Sequence, residues 1–109
     1  MAELSKAARK AIRDAADVAY QRELDAELEE LAQGFADWKA GKLSAVSLAE
    51  AIHDFHQGPA KQLFNRYGAS SVPDLALAAA VAAGFIQIEE IAAPGREHIA
   101  KIVSVVQLS

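Results

Sequence analysis

The densest run of chemically capable side chains is IHDFHQGPAKQLFNRY, residues 52 to 67. It holds His53, Asp54 and His56, a Gly58-Pro59 pair, and then Lys61, Arg66 and Tyr67. Neutral imidazoles and carboxylates ligate zinc and iron. Glu50-x-x-His53 and His53-x-x-His56 are i, i+3 pairs, which neighbour each other on a helix surface. Glu50, His53 and His56 are therefore the metal-ligand candidates. The pattern is incomplete, because H-E-x-x-H is absent and a di-iron bundle needs two E-x-x-H helices plus two further glutamates. The remaining histidine, His98, has no glutamate three residues before it. No metal or other cofactor is expected.

Acid–base catalysis needs a second positioned group. His53 and Asp54 are adjacent, and adjacent helix residues diverge by about 100°. There is no G-x-S-x-G elbow and no glycine-rich phosphate loop. With no cysteine in the chain, disulfides, thiolate metal sites and cysteine nucleophiles are excluded. The residues point to a non-catalytic protein. Two readings of the stretch stay open. In one, His56 sits in a last helical turn, where its partial charge suits the helix dipole, and its neighbours are solvated. In the other, His53, Asp54, His56, Lys61 and Arg66 line a polar groove for a partner or small anion.

The elements that would position these residues read as all-α. The chain has 109 residues, 52 % hydrophobic and 24 % charged, which suits one globular domain over residues 1 to 109. Leu4, Ala8, Ile12, Ala15, Ala19, Leu24, Leu28, Leu31, Phe35 and Trp38 recur at helical spacing and predict one long helix over 3 to 40. Such a helix is longer than a compact domain of this size, so its early part is expected to project or to pair. Gly41 suits the left-handed residue after its end. Ser47-x-x-Glu50 predicts a capping box for a helix over 48 to 57, with Leu48, Ile52 and Phe55 inward. Gly58 is expected to end it, and Pro59 to start a third helix over 59 to 67, with Leu63, Phe64 and Tyr67 inward. Ser71, Pro73 and Asp74 predict a helix start near 72, running to Gly84. The apolar run 75 to 86 is too short to cross a bilayer and reads as a central helix. Ile99, Ile102, Val103 and Val106 have helical spacing, though their β-branched content keeps a strand possible over 99 to 108. The architecture is a long N-terminal helix followed by a compact bundle of three to four shorter helices over 44 to 108.

Charge is segregated along the first helix. Residues 1 to 22 carry Lys6, Arg9, Lys10, Arg13 and Arg22, whereas residues 23 to 37 carry six carboxylates and no base. This opposes the helix macrodipole. An antiparallel second copy would set the basic end of one chain against the acidic stretch of the other. A homodimer is expected on these grounds, with Leu24, Leu28, Leu31, Phe35 and Trp38 as interface candidates. The alternative is two ordinary solvated faces. Lys6, Arg9, Lys10 and Arg13 form one basic stripe that could touch phosphates. With a net charge of -4 and no interleaved aromatics, nucleic acid is not the expected partner. The first residues show no secretory signal pattern, so a cytoplasmic location without membrane contact is expected.

The residues Ile52, His53, Phe55, His56, Gly58, Pro59, Lys61 and Phe64 resemble an I-H-x-F-H-x-G-P core found in small bacterial all-helical proteins, where a long charged helix precedes it. The resemblance spans about residues 20 to 86. It implies a bacterial cytosolic protein and no established activity. The combined reading is a small interaction or regulatory protein acting through helix association. The alternatives are a metal-binding helical protein using His53 and His56, and a nucleic-acid accessory protein using the Lys6–Arg13 stripe.

Overall fold

The computed structural model describes residues 4 to 108, and these are all-α, with no strand among them. Helix α1 (Lys6–Lys39) starts at Ser5, whose hydroxyl accepts from the Ala8 N–H at 3.0 Å. It ends in a Schellman turn. Gly41 takes φ 77°, its N–H reaches the Trp38 carbonyl at 3.1 Å, and the Lys42 N–H reaches Asp37 at 2.8 Å. The Ser5 cap and the Schellman turn each satisfy backbone groups that a bare helix end leaves open.

The first half of α1 lies in the core. Ala8, Ala11, Ile12, Ala15, Ala16 and Ala19 are buried against α4 (Asp74–Ala83) and α5 (Ala93–Leu108). Small side chains allow close approach, and Gly95 of α5 is where it is closest. A Cβ added there would stand 3.0 Å from Ile12 Cγ1, 3.1 Å from the Ala8 carbonyl oxygen and 3.2 Å from Ala11 Cβ. Larger residues fill the centre: Ile12, Leu77, Ile86, Ile91 and Ile99 are fully buried, each contributing ~1.5–3 kcal/mol. Helix α4 ends at Gly84, φ 86°, in a second Schellman turn with Phe85 N–H on the Ala80 carbonyl at 3.0 Å. A 3-10 turn, Ile88–Glu90, leads into α5, which is helical despite its β-branched residues because Ile99 anchors it in the core.

The second half of α1 leaves this body and forms an arm with α2 (Ala45–Phe55). The molecule measures 57 × 25 × 22 Å, with a radius of gyration of 17.1 Å. A compact chain of this length would have about 13 Å. The projecting part is thus the late half of the helix, not the early half as the sequence suggested, because the Ala-rich early face is the one that α4 and α5 fit. Within the arm only Leu48 is buried.

The return from the arm corrects two local expectations. The N-cap of α2 is Ser44, whose hydroxyl accepts from the Ser47 N–H at 3.0 Å, so Ser47 and Glu50 do not form a cap. Gly58 and Pro59 do not break the chain either. Helix α2 continues through a π-turn, His56–Ala60, into α3 (Lys61–Gly68), with Pro59 inside. A proline in a regular helix lacks an N–H and clashes with the carbonyl four residues back. The wider π-turn removes both conflicts and keeps the faces of α2 and α3 on α1. Ile52 and Phe64, expected inward, are 41 % and 67 % exposed, while Leu48, Leu63 and Tyr67 are buried. Ser71 gives α4 no side-chain cap; the carboxylate of Asp74 accepts from the Leu75 N–H instead, at 2.9 Å. Among the described residues, no helix is long and apolar enough to cross a membrane.

Candidate functional site

The π-turn sits between two grooves, each closed on one side by α1. π-Turns inside helices recur at functional sites, because the surplus residue re-aims the side chains around it. The first groove has a volume of ≈ 300 Å³. Leu31, Ala51, Phe55 and Pro59 make its apolar floor, and Glu27, Glu30 and Asp54 its rim. The second, ≈ 310 Å³, is lined by Tyr20, His56, Ala60, Lys61 and Phe64. We call them the acidic and the aromatic groove.

Behind the aromatic groove the body and arm are bolted together. Tyr67 of α3 stacks on Tyr20 of α1 with ring centroids 5.1 Å apart and 17° between planes. Its hydroxyl donates to a carboxylate oxygen of Glu23, and Arg66 reaches the other oxygen of Glu23 at 3.4 Å. Burial, reinforced by the Glu23 hydrogen bond, holds the Tyr67 phenol well above its ordinary range. A phenol kept protonated is a donor, not a nucleophile. The cluster fastens helices and offers no reactive group.

The five residues expected to share one polar groove are divided by the π-turn. Asp54 is on the acidic groove, His56 and Lys61 are on the aromatic groove, Arg66 belongs to the Glu23 cluster, and His53 is exposed and lines neither groove. Among the described residues no three His, Cys, Asp or Glu side chains gather so that they could hold a metal ion, so Glu50, His53 and His56 are not brought together as ligands. His98 has a partner the spacing did not reveal: its Nε2 lies 2.9 Å from Asp74 Oδ2. Of the basic stripe, Lys10 pairs with Asp14 at 2.6 Å and Arg9 donates to the Leu4 carbonyl at 3.1 Å, while Lys6 and Arg13 are exposed.

The interface candidates on α1 split in the same way. Leu24 packs on the core cluster and Leu31 floors the acidic groove, but Leu28, Phe35 and Trp38 stay between 40 and 43 % exposed. Val46 and Ile52 of α2 are exposed as well. An antiparallel pairing along the whole helix would need the Ala8–Ala19 face, which α4 and α5 already cover. Exposed large apolar side chains lie on the arm and also outside it, at Val18, Phe64 and Leu75. No protein-family model, curated protein or solved structure matches this chain.

Proposed function

We propose that this is a small non-catalytic interaction or regulatory protein that works by helix association, and that the arm is its associating part. One observation carries the reading: a projecting hairpin two helices thick leaves Leu28, Phe35, Trp38, Val46 and Ile52 in water. Large apolar side chains grouped on an exposed face mark interaction surfaces, and Leu28 and Phe35, seven residues apart, point within about 20° of each other on α1. The partner for the Leu28–Phe35 flank is a second arm, giving a homodimer through Leu28, Phe35 and Trp38. Lacking cysteine, the chain suits the reducing cytoplasm, and we extend the proposal to that compartment.

Charge sets how such a dimer must behave. Residues 24 to 57 hold seven carboxylates and two lysines, a formal charge of -5 with neutral histidines. Two arms repel, and salt screens that repulsion over a Debye length of about 10 Å at 0.1 M. Sedimentation velocity of the wild type and of Phe35→Ser tests this. The expected result is a dimer that tightens as salt rises and is lost in the variant. A monomer at every salt and protein concentration refutes self-association.

A further inference from the structure

We infer that the acidic groove is a docking site for a basic amphipathic helix of a partner protein. This rests on the reading of the arm as an associating element and names a second partner for it. The groove combines two features that one ligand chemistry satisfies together. Its floor, Leu31, Phe55 and Pro59, is apolar, and its rim carries Glu27, Glu30 and Asp54. Among the described residues, none of these three carboxylates has a side-chain hydrogen bond or ion pair within the chain. Glu27 and Glu30 stand about 4.5 Å apart along α1, close to the rise between lysines three positions apart on another helix. Lysine and arginine can lay their apolar stems on such a floor while their charged heads reach the rim. Helix-in-groove recognition has this form.

Charge decides against the other occupants. A second copy of the arm brings -5 to a rim that is already anionic. The basic Lys6–Arg13 stripe of a second copy sits on a helix whose apolar face is inside its own core, so it has charge but nothing to fill the floor. Nucleic acid and anionic lipid are repelled. The groove's rim turns away from Leu28, since Glu27 and Glu30 point about 100° and about 160° from it around α1, whereas the floor residue Leu31 lies about 60° from it and borders the self-association flank.

The test is fluorescence anisotropy with a labelled synthetic peptide of about five helical turns, with leucine on one face and lysine on the other. Two control peptides replace lysine by glutamate, or leucine by serine. The Leu/Lys peptide should bind the full chain, and salt should weaken the binding, opposite to its effect on the dimer. Glu27→Lys with Glu30→Lys should weaken it at least about tenfold, and Asp54→Lys should lower it as well. Glu30 and Asp54 are exposed and Glu27 is half-buried, so circular dichroism of each variant checks that it folds. The groove is ruled out if the Leu/Lys peptide does not bind, if the double variant binds as well as wild type, or if the Ser/Lys peptide binds equally. A chain that stays monomeric yet binds the peptide refutes self-association and upholds the groove. A dimer that ignores the peptide does the reverse.

Discussion

Arg22 and Glu90 are joined by two parallel N–H···O bonds of 2.9 and 2.7 Å, and the same guanidinium donates to the Phe85 carbonyl at 3.0 Å. The three bonds fasten the segment between α4 and α5 to the middle of α1. The Arg22 hydrogen bond, with help from the Gln87 N–H, draws the Glu90 carboxyl down from 4.5 to about 2. A depressed carboxyl stabilises the fold in full above the ordinary value and loses that contribution as pH falls toward the lowered one. Arg22→Met should therefore melt below wild type near neutrality, and the gap should close between pH 4.5 and about 2. Thermal melts across that window check it; a gap independent of pH would mean the pair does not act as the contacts suggest.

Two glycine substitutions on helices should have opposite signs. A Cβ at Gly95 meets Ala11, Ile12 and backbone of Ala8 at 3.0 to 3.2 Å, and backbone cannot swing aside. Gly95→Ala should cost about 1–3 kcal/mol in spite of better helix propensity. A Cβ at Gly34 meets only Leu48 Cδ1 at 3.5 Å and Leu43 Cδ2 at 4.0 Å. Gly34→Ala should stabilise by about 0.5–1 kcal/mol. Urea titration of the pair reads both.

Tyr67→Phe keeps the stack on Tyr20 and removes the donor to Glu23, a carboxylate whose side chain is only 11 % exposed. The expected loss is about 1–3 kcal/mol, since Glu23 keeps only the longer contact to Arg66. The raised phenol gives a second readout. Its share of stability is complete below the ordinary tyrosine range and fades as pH rises through the elevated value. Phenolate absorbance of folded wild type should therefore show Tyr67 ionising late, or only on unfolding.

A π-turn holds one residue more than an α-turn. Deleting Pro59 removes the surplus residue and the helix breaker together, and keeps α2 and α3 on their present faces. The variant should fold and melt higher than wild type. Deleting His53 leaves Leu48 and Leu63 equally far apart in sequence but forces Pro59 into a regular turn, so this variant should be less stable than the Pro59 deletion by about 3 kcal/mol. Far-ultraviolet circular dichroism melts distinguish the two.

Local signals carried much of the fold. Gly41 and Gly84 both end helices with positive φ, and the apolar spacing of α1 persists through Gly34. Signals failed where two local rules competed or where the chain met itself far away. Ser44 and Ser47 are three residues apart and either could cap; packing of Leu48 selects Ser44. Gly58-Pro59 reads locally as a stop, but Leu48 before it and Leu63 and Tyr67 after it all face α1, and that shared burial carries the helix across. Helical spacing could not reveal Glu23 with Tyr67 or Asp74 with His98, which lie 44 and 24 residues apart. The histidine stretch looked like one site because sequence is one-dimensional; the π-turn turns its members to different sides.

Mechanically, α1 is a cantilever. Its root is clamped between α4 and α5, its free end is Trp38, and no joint interrupts it. The return member, α2 through α3, runs from near that tip back to the root, where Tyr67 is pinned to Tyr20 and Glu23. Beam and strut lie side by side, so bending the arm must slide one along the other. The strut carries its extra residue at the π-turn, His56–Ala60, and Pro59 of that turn is also part of the acidic groove's floor.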